Sequence, residues 1–446
     1  MQHTSLQLDD IVELLNADDA QVIRAAFVGA HPADIADLLE GLTPEKRPFI
    51  WPHIPEHLKG EVLAELSEGV FKDFATDIDT QQLAESIQSL DIDDIADLVT
   101  DLPQETRTEV LTAIDSDTRS SLGTVLSYPE DSAGGLMDLD ATVVRDNISL
   151  EVVLRFLRAK TKLPALTESI YLVDRDNHFI GILLISDLIT SPINDLAQQH
   201  MVDNPITFNC LDSEEDVANA FADYDLVSAP VLDDVGKLIG RITIDDVVDV
   251  IREQAEHNLM APAGLKDEAD IFAPVVETTR NRSIWLGVNL VTALLGSWVI
   301  SQFEGSIQQL VALAVLMPIV ASMGGNAGIQ TLTIVIRGMS AGTISGGNTT
   351  TILKKEALVG VLNGFLWAIV IAVIAALWFN NIQLGLVIAC AMVANLVMGA
   401  IAGVLIPVFF EKMNIDPALA GGVALTTVTD VVGYFSVLGL ATLLLL

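Results

Sequence analysis

Cysteine is nearly absent from this 446-residue chain, which contains only Cys210 and Cys390. Two cysteines so far apart provide neither a disulfide framework nor a CxxC metal site. Basic residues are also scarce, because 23 lysines and arginines stand against 60 acids and leave a formal net charge of −37. So acidic a chain repels nucleic acid, and we expect no nucleic acid among its partners. Solubility, or adaptation to a salty cytoplasm, is the alternative explanation of this charge.

The excess of acids ends near residue 276. From Glu277 onward only six acids and six bases remain, so the first 276 residues carry the whole net charge. The first residues, MQHTSLQLDDIVELL, lack the basic and apolar regions of a signal peptide. We therefore expect an acidic cytoplasmic half followed by an apolar half in the membrane.

The apolar half contains five stretches that are long enough to cross about 30 Å of hydrocarbon. They are approximately Ile284–Gln302, Ile307–Ile336, Ala357–Phe379, Leu384–Phe410 and Gly421–Leu446. Bases occur before the first stretch, between the second and third, and between the fourth and fifth: Arg280, Arg282, Arg337, Lys354, Lys355 and Lys412. The positive-inside rule then predicts a multi-pass protein of the cell (inner) membrane with a cytoplasmic N-terminus and an outer C-terminus.

The second stretch combines poor helix formers with polar amides at membrane depth: Pro318, Gly324, Gly325, Gly328, Asn326 and Gln330. Interrupted backbone in lipid is tolerated only where it is buried in protein or lines a watery cavity, and amides beside a Gly-Gly pair favour the lining of a path. Close helix packing through small residues is the alternative, and Gly360 and Gly364 of the third stretch fit that explanation better.

The last stretch carries one carboxylate, Asp430, in an otherwise uncharged segment. A buried aspartate at that depth costs about 2.5–3.5 kcal/mol on insertion scales, and no lysine or arginine lies within a span to pair with it. Oxygen ligands suit hard cations such as Mg²⁺, and one aspartate per chain becomes a pair at the axis of a symmetric dimer. A protonated aspartate that bonds a neighbouring helix is the alternative.

The acidic half contains two internal repeats. YLVDRDNHFIGILLISDLI aligns with PVLDDVGKLIGRITIDDVV at an offset of 59 residues, and each copy predicts two strands followed by a helix with an aspartate N-cap, Asp187 or Asp246. HPADIADLLEGLTPEKR recurs 60 residues later as DIDDIADLVTDLPQETR, which predicts a small α-solenoid.

These patterns predict five segments. Residues 1–127 form an acidic helical N domain, 128–199 and 200–246 the two repeated α/β domains, 247–276 a connecting helix, and 277–446 a transmembrane domain with five spans. The connecting helix carries acids on one face: Asp245, Asp246, Asp249, Glu253 and Glu256. Cation sensing and a simple solvated face are both open explanations of these acids.

The paired α/β copies, roughly Leu136 to Gln254, resemble tandem cystathionine-β-synthase-type (CBS) domains. In that family the element Gly-h-h-Thr-x-x-Asp, where h is apolar, often binds the ribose of an adenine nucleotide. The second copy keeps it as Gly240, Thr243 and Asp246, whereas the first copy has Leu184 in place of the threonine. The resemblance implies at most one nucleotide site, for ATP or a related ligand.

The whole chain resembles the MgtE family of magnesium transporters. The resemblance is carried by YPEDSAGGLM, MPIVASMGGNAGIQT and DPALAGGVALTTVTDVVGYF, and by the order of an α-helical N-terminal solenoid, an α/β tandem CBS pair, a long connecting helix and five membrane helices. It implies a homodimeric Mg²⁺ channel in the lipid bilayer, not an enzyme, with Asp430 binding the ion and Asn326 lining the pore. Cytosolic Mg²⁺ closes such a channel, and the sensor positions implied by motif are Asp94, Glu215, Asp225, Asp246 and Asp249.

The connector departs from the family pattern at Arg252, Gln254 and His257, where members are often more acidic. Sensor sites that depend on these positions are expected to be weaker. A CBS-regulated transporter of Co²⁺, Mn²⁺ or Ca²⁺ is the main alternative function. An aspartyl intramembrane protease would need two carboxylates that share a proton, whereas the predicted spans of one chain contain only Asp430. A membrane-anchored nucleotide sensor would leave the polar second span unexplained.

Overall fold

The structure, a computed structural model of the chain, describes Arg24, Phe27 and residues 29–265, 270–344 and 347–446, with only the backbone of Glu277. The chain divides into two compact units. The first contains the described residues up to Gln254 together with residues 270–273, and the second contains residues 255–265 and Pro274–Leu446. The first 23 residues of the predicted N domain lie outside the described residues.

The described part of the N domain is entirely helical. Its helices are α1 (Pro32–Glu40), α2 (Arg47–Ile50), α3 (Lys59–Ala64), α4 (Glu68–Ala75), α5 (Thr80–Ile87), α6 (Ile92–Asp101), α7 (Gln104–Ala113) and α8 (Ser116–Val125), with 3₁₀ turns at Trp51–His53 and Glu56–Leu58. Apolar side chains at helical spacing, such as Ile95, Leu98 and Val99 of α6, are buried in one shared core. The predicted helical character of this region is confirmed.

Two small sheets follow, one for each CBS copy. The first copy contains β1 (Val143–Arg145), α9 (Leu150–Ala159), β2 (Ser169–Val173), β3 (Phe179–Leu184), α10 (Ile185–Thr190), a 3₁₀ turn (Ala197–Gln199) and β4 (Val202–Asp203). The second contains β5 (Phe208–Asn209), α11 (Glu214–Tyr224), β6 (Ser228–Leu232), β7 (Leu238–Thr243) and α12 (Ile244–Met260). In both, a parallel strand pair is followed by an antiparallel pair. Gly181 opposite Leu172 repeats as Gly240 opposite Val231, so the predicted α/β repeat is confirmed.

The repeated aspartates do not occupy the N-caps that we expected. Asp187 and Asp246 both lie inside the first turn of their helices, α10 and α12. Asp246 Oδ2 instead accepts a hydrogen bond from the backbone N–H of Thr243, 3.2 Å away, just before the helix begins. The carboxylate therefore stabilises the helix start by reaching back from inside the first turn, as the acid of a capping box does.

The connecting helix α12 begins at Ile244, three residues before the predicted segment 247–276, and ends at Met260. A 3₁₀ turn at Ala261–Ala263 follows, and Gly264 adopts a φ of +69°. The left-handed backbone at Gly264 and the missing N–H of Pro262 end the helix here. Residues 266–269 of the predicted segment lie outside the described residues.

Among the described residues of the second unit, five long helices are apolar enough to cross a membrane. They are α13 (Val275–Ser301), α15 (Ala312–Ser340), α16 (Thr349–Phe379), α17 (Ile382–Lys412) and α18 (Pro417–Leu444), with the short α14 (Glu304–Gln309) between the first two. The predicted five-helix membrane region is confirmed. Most of these helices begin or end several residues beyond the apolar stretches, since polar residues continue the helix past the hydrocarbon.

Small residues bring the membrane helices into close contact. A Cβ at Gly360 of α16 would lie 2.9 Å from the Cβ of Ala400 and 3.1 Å from the carbonyl oxygen of Leu396, both on α17. Gly364, one turn later, approaches Val393 in the same way. The close-packing explanation of this glycine pair is therefore confirmed.

Candidate ion-binding sites

Asp430 lies near the middle of α18 and is half-buried in the single chain. The neighbouring threonines bond their own helix: Thr426 Oγ1 donates to Gly422 O and Thr427 Oγ1 to Val423 O. Among the described residues we find no hydrogen bond or ion pair to the Asp430 carboxylate. An ionised carboxylate at this depth therefore has both oxygens free for water or a cation.

Helix α15 passes through the glycine motif without interruption, so the expected break in its backbone is wrong. The helix is continuous from Ala312 to Ser340, with Pro318 inside it. Close packing offsets the helix penalty of about 1 kcal/mol per glycine: Gly324 faces the side chain of Asn395, and Gly328 faces Leu425.

Asn326 lies on the side of α15 opposite Gly324 and Gly328, and it is exposed in the single chain. Its neighbour Gly325 packs against Thr429, where a Cβ would lie 3.6 Å from the threonine Oγ1. Because Thr429 precedes Asp430, Asn326 and Asp430 lie at the same level of two packed helices. The structure therefore places an amide and a carboxylate at one depth.

The end of α12 contacts the start of α18. His257 Nε2 lies 3.0 Å from Asp416 Oδ2. Asp416 is also the N-cap of α18, where its two carboxylate oxygens accept from the backbone N–H groups of Ala418 and Leu419. His257, a departure from the family pattern, therefore joins the connecting helix to the helix that carries Asp430.

A group of carboxylates, here called the acidic cluster, lies where α6 meets α12. It comprises Asp91, Asp93, Asp94, Asp245, Asp246 and Asp249. The side chain of Asp93 is buried, and its Oδ1 has no hydrogen-bond partner among the described residues. An orphaned buried carboxylate oxygen among like charges is a poor arrangement unless a proton or a cation neutralises it.

Burial and mutual repulsion disfavour ionisation in this cluster. Burial first, and then the charge of Asp91, raises the pKa of Asp94 to about 7. Burial followed by repulsion from Asp246 raises the pKa of Asp93, and burial followed by repulsion from Asp245 raises that of Asp246. Without a cation the cluster therefore retains protons near neutral pH.

The predicted sensor residues fall into two groups. The structure brings together Asp94, Asp246 and Asp249, because the charge of Asp249 raises the pKa of Asp94 and the charge of Asp94 raises that of Asp246. Glu215 lies instead in the first turn of α11, and Asp225 is the exposed C-cap of that helix with a φ of 54°. These two residues therefore lie on a different element from the acidic cluster.

Asp93 is the sensor candidate that our sequence interpretation missed, together with Asp97 one turn further along α6. Glu65 is a further acid near Asp249. Burial first, and then the charge of Asp249, raises the pKa of Glu65. The signal was present in DIDDIADL, because Asp93 and Asp97 are four residues apart and share a helix face with Asp94 beside them. The burial of Asp93, and its nearness to Asp246 of the second CBS copy, are properties of the tertiary structure.

The nucleotide motif makes its contacts within the protein. A Cβ at Gly240 would lie 2.9 Å from the carbonyl oxygen of Asp138, so this glycine permits two backbones to approach. Thr243 Oγ1 donates to Asp246 Oδ2 at 3.0 Å. Asp246 thus belongs to both the nucleotide motif and the acidic cluster.

Another group with metal-ligand chemistry is Asp174, Asp176 and His178, whose ligand atoms lie within 4.8 Å of one another. Asp174 Oδ1 accepts from the backbone N–H groups of Asp176 and His178, at 2.8 and 2.9 Å. These bonds form an Asx turn between β2 and β3, which accounts for the grouping without a metal.

Comparison with known proteins assigns four segments of the chain to families. Residues 30–131 match the MgtE intracellular N domain, residues 133–194 and 193–253 match CBS domains, and residues 317–440 match the MgtE divalent cation transporter family. The magnesium transporter MgtE of Bacillus subtilis is 27% identical over 421 residues, 92% of this chain and 93% of its own length. The magnesium transporter MgtE of Thermus thermophilus is 28% identical over 439 residues, 97% of each chain.

A solved structure agrees with the acidic half. The cytosolic domain of the Mg²⁺ channel MgtE in complex with ATP is 30% identical, with a TM-score of 0.51 over 55% of this chain and 100% of that one. The described helices, the CBS pair and the five membrane helices follow the order of these matches. The chain belongs to the MgtE family of divalent cation transporters and is a multi-pass membrane protein with a cytosolic N-terminal domain.

Proposed function

We propose that this protein conducts Mg²⁺ across the cell membrane, with Asp430 as the ion-binding residue of the path. The observation that carries the proposal is a half-buried carboxylate in the middle of α18 with no hydrogen bond or ion pair to the described residues. The names of the relatives, which are magnesium transporters, support Mg²⁺ as the cargo. Transport of Co²⁺, Mn²⁺ or Ca²⁺ is the alternative, because oxygen ligands alone discriminate poorly among these cations.

The path lies between two copies of the chain in this proposal. One Asp430 per chain becomes a pair across a two-fold axis, and Asn326 at the same depth lines the same passage. Mg²⁺ gives up its waters reluctantly, so two carboxylates facing a hydrated ion suit it better than a closed cage of protein ligands. The C-terminus lies on the outer side, as the distribution of bases implies.

The acidic cluster is the cytosolic sensor in this proposal. The orphaned carboxylate oxygen Asp93 Oδ1 and the unfavourable ionisation of Asp94 fit a divalent cation that binds when Mg²⁺ is abundant. Binding holds α6 against α12 and stabilises the closed state, since a ligand favours the conformation that it binds better. The contact of His257 with Asp416 then connects α12 to the start of α18.

The proposal also includes an adenine nucleotide that binds at the CBS pair. The solved relative contains ATP in its cytosolic domain. Gly240, Thr243 and Asp246 would form the site here. Because Asp246 also belongs to the acidic cluster, nucleotide and Mg²⁺ binding would influence each other.

Rescue of a bacterium that lacks its own Mg²⁺ transporters tests the ion path. We expect the unaltered chain to restore growth at low Mg²⁺, whereas Asp430→Ala and the matched Asp430→Asn fail, because both lose the charge that attracts the ion. Uptake by purified protein in lipid vesicles should fall at least about tenfold, the effect of losing a charged contact worth about 1.5–3 kcal/mol. Normal uptake by Asp430→Asn, with equal amounts of protein in the membrane, would contradict the proposal.

A further inference from the structure

We propose that Asn395 is a positioning residue of the ion path, which fixes the rotation of α18 and thereby the direction of the Asp430 carboxylate. The inference rests on the proposed function of Asp430. Asn395 lies on α17, is fully buried, and does not belong to any motif that the sequence analysis singled out.

The Asn395 amide joins two helices by a hydrogen bond. Its Nδ2 donates to the backbone carbonyl oxygen of Val320 on α15 at 2.8 Å. The carbonyl belongs to the turn just before the glycine pair, and a Cβ at Gly324 would overlap the amide. The bond therefore forms only because α15 has no side chain at this point.

The same amide also packs against the third helix. A Cβ at Gly433 of α18 would lie 2.9 Å from Asn395 Nδ2 and 3.2 Å from the Cα of Ala321. Three helices, α15, α17 and α18, thus meet at one polar side chain. Asn395 Oδ1 is buried and has no hydrogen-bond partner among the described residues.

Packing alone does not explain an asparagine here. A leucine has the same number and branching of side-chain heavy atoms and would leave no buried acceptor unpaired, whereas the unpaired Asn395 Oδ1 carries a desolvation cost. The amide supplies what leucine lacks, a directional bond that fixes the distance and rotation of α17 relative to α15. Buried polar groups retained at a cost typically specify one arrangement among several.

The geometry of α18 connects this arrangement to Asp430. Thr429 and Gly433 are four residues apart and lie on one face, which packs against Gly325 and Asn395 respectively. Asp430 is one residue beyond Thr429 and therefore points about 100° around the helix from that face. Contacts at Thr429 and Gly433 thus determine the direction of the carboxylate, and Asn395 provides the contact at Gly433.

A misdirected carboxylate affects Mg²⁺ more than Ca²⁺. Mg²⁺ keeps its waters in a near-ideal octahedral shell, so the carboxylates must match fixed water positions, whereas Ca²⁺ accepts six to eight ligands in flexible arrangements. Asn395 therefore contributes to discrimination between the two ions, as well as to the binding of Mg²⁺. A residue that only filled space would leave this discrimination unchanged once the protein had folded.

Uptake by the full-length protein in lipid vesicles tests the inference. For Asn395→Leu we expect the half-saturating Mg²⁺ concentration to rise about tenfold, the effect of one net hydrogen bond, with a smaller rise for Ca²⁺. The control is Thr442→Val on α18, which removes the 2.7 Å bond between Ser306 Oγ and Thr442 Oγ1 but lies 12 residues from Asp430. Thr442→Val should transport both ions as the unaltered chain does.

A double variant separates the hydrogen bond from the space. Gly324→Ala alone should impair folding, because the new Cβ overlaps the Asn395 amide. Adding Asn395→Ala removes the overlap, so the double variant should fold, with transport that remains weak in Mg²⁺ and poorly selective. This variant provides the test if Asn395→Leu does not reach the membrane.

Unchanged Mg²⁺ half-saturation and unchanged Mg²⁺/Ca²⁺ discrimination in either folded variant would overturn the positioning role. That result would leave the proposed function intact if Asp430→Asn still failed in the same vesicles. Normal transport by Asp430→Asn would instead remove the proposed function, whatever the Asn395 variants showed.

Discussion

Individual buried charges in the acidic half have two kinds of surroundings. Arg47 and Asp270 form a pair, with a distance of 2.8 Å between Nη1 and Oδ2 and exposed side-chain fractions of 1% and 3%. Arg47 Nε also donates to the carbonyl oxygen of Leu39. Asp93, by contrast, is buried among other acids. The first arrangement contains its own counter-charge, although Arg47 Nη2 is buried with no hydrogen-bond partner among the described residues. The second requires a proton or a cation.

The Arg47 pair gives a prediction at the residue scale. Arg47→Met should lower the unfolding free energy of the first unit by about 3–5 kcal/mol, because it leaves the Asp270 carboxylate buried without a partner. Calorimetric unfolding of the full-length protein in detergent measures this effect.

The matched control is the pair of Lys160 Nζ and Asp140 Oδ1, 4.0 Å apart, with exposed side-chain fractions of 28% and 68%. Asp140→Asn should cost less than about 1 kcal/mol, since water already screens a solvated pair. Equal losses from the two variants would argue against the importance of burial.

At the scale of helices, the glycines of the membrane half differ in their surroundings. Gly360 lies against Ala400 and Leu396 of α17, whereas a Cβ at Gly287 of α13 would meet no atom of the described residues within 4 Å. Both glycines lie inside apolar helices, but Gly360 also has Gly364 at GxxxG spacing, which already indicated close packing. The structure confirms that Gly360 permits the close approach of α16 and α17.

This difference gives a second prediction. Gly360→Val should separate α16 from α17 and destabilise the membrane unit by about 1–3 kcal/mol, the usual cost of overpacking. The thermal unfolding temperature of the purified protein, compared with that of Gly287→Val, measures the effect. A loss as large for Gly287→Val would show that glycine itself, and not its neighbours, matters.

At the scale of the whole molecule, the acidic unit should respond to pH and to Mg²⁺ together. The pKa of Asp94 is raised from 3.8 to about 7, and that of Asp93 is raised as well. Since the folded state binds protons more tightly than the unfolded state, their contribution to stability is complete below about pH 3.8. It is lost as the pH rises through the folded pKa values.

We therefore expect the first unit, in the presence of a chelator, to unfold at a lower temperature at pH 8 than at pH 5. Mg²⁺ at about 100 times its dissociation constant should restore about 2.7 kcal/mol at pH 8. Asp93→Asn should reduce both the pH dependence and the response to Mg²⁺. Calorimetry across this pH range provides the measurement, and an unfolding temperature that rises with pH would contradict the assignment of the acidic cluster.

Much of the architecture could be predicted from local patterns. The change in composition near residue 276, the apolar stretches and the two repeats correctly indicated a helical N domain, a CBS pair and five membrane helices. Helix ends were less predictable: α12 stops at Met260 because of Pro262 and Gly264, and α15 continues through glycines that favoured a break. Local propensity fails there because packing around Gly324 and Gly328 outweighs it.

The sequence by itself determined that one half of the chain is acidic and the other apolar, that two segments repeat, and that one acid, Asp430, lies in an otherwise uncharged span. It could do so because charge and apolar periodicity are local properties of the chain. The tertiary structure alone decided which acids gather, placing Asp93 inside the acidic cluster and Glu215 on another helix. It also decided the place of Asn395, whose partners Val320, Gly324 and Gly433 are 75, 71 and 38 positions away along the chain. Burial, repulsion and hydrogen bonding between distant residues depend on packing, which no local pattern records.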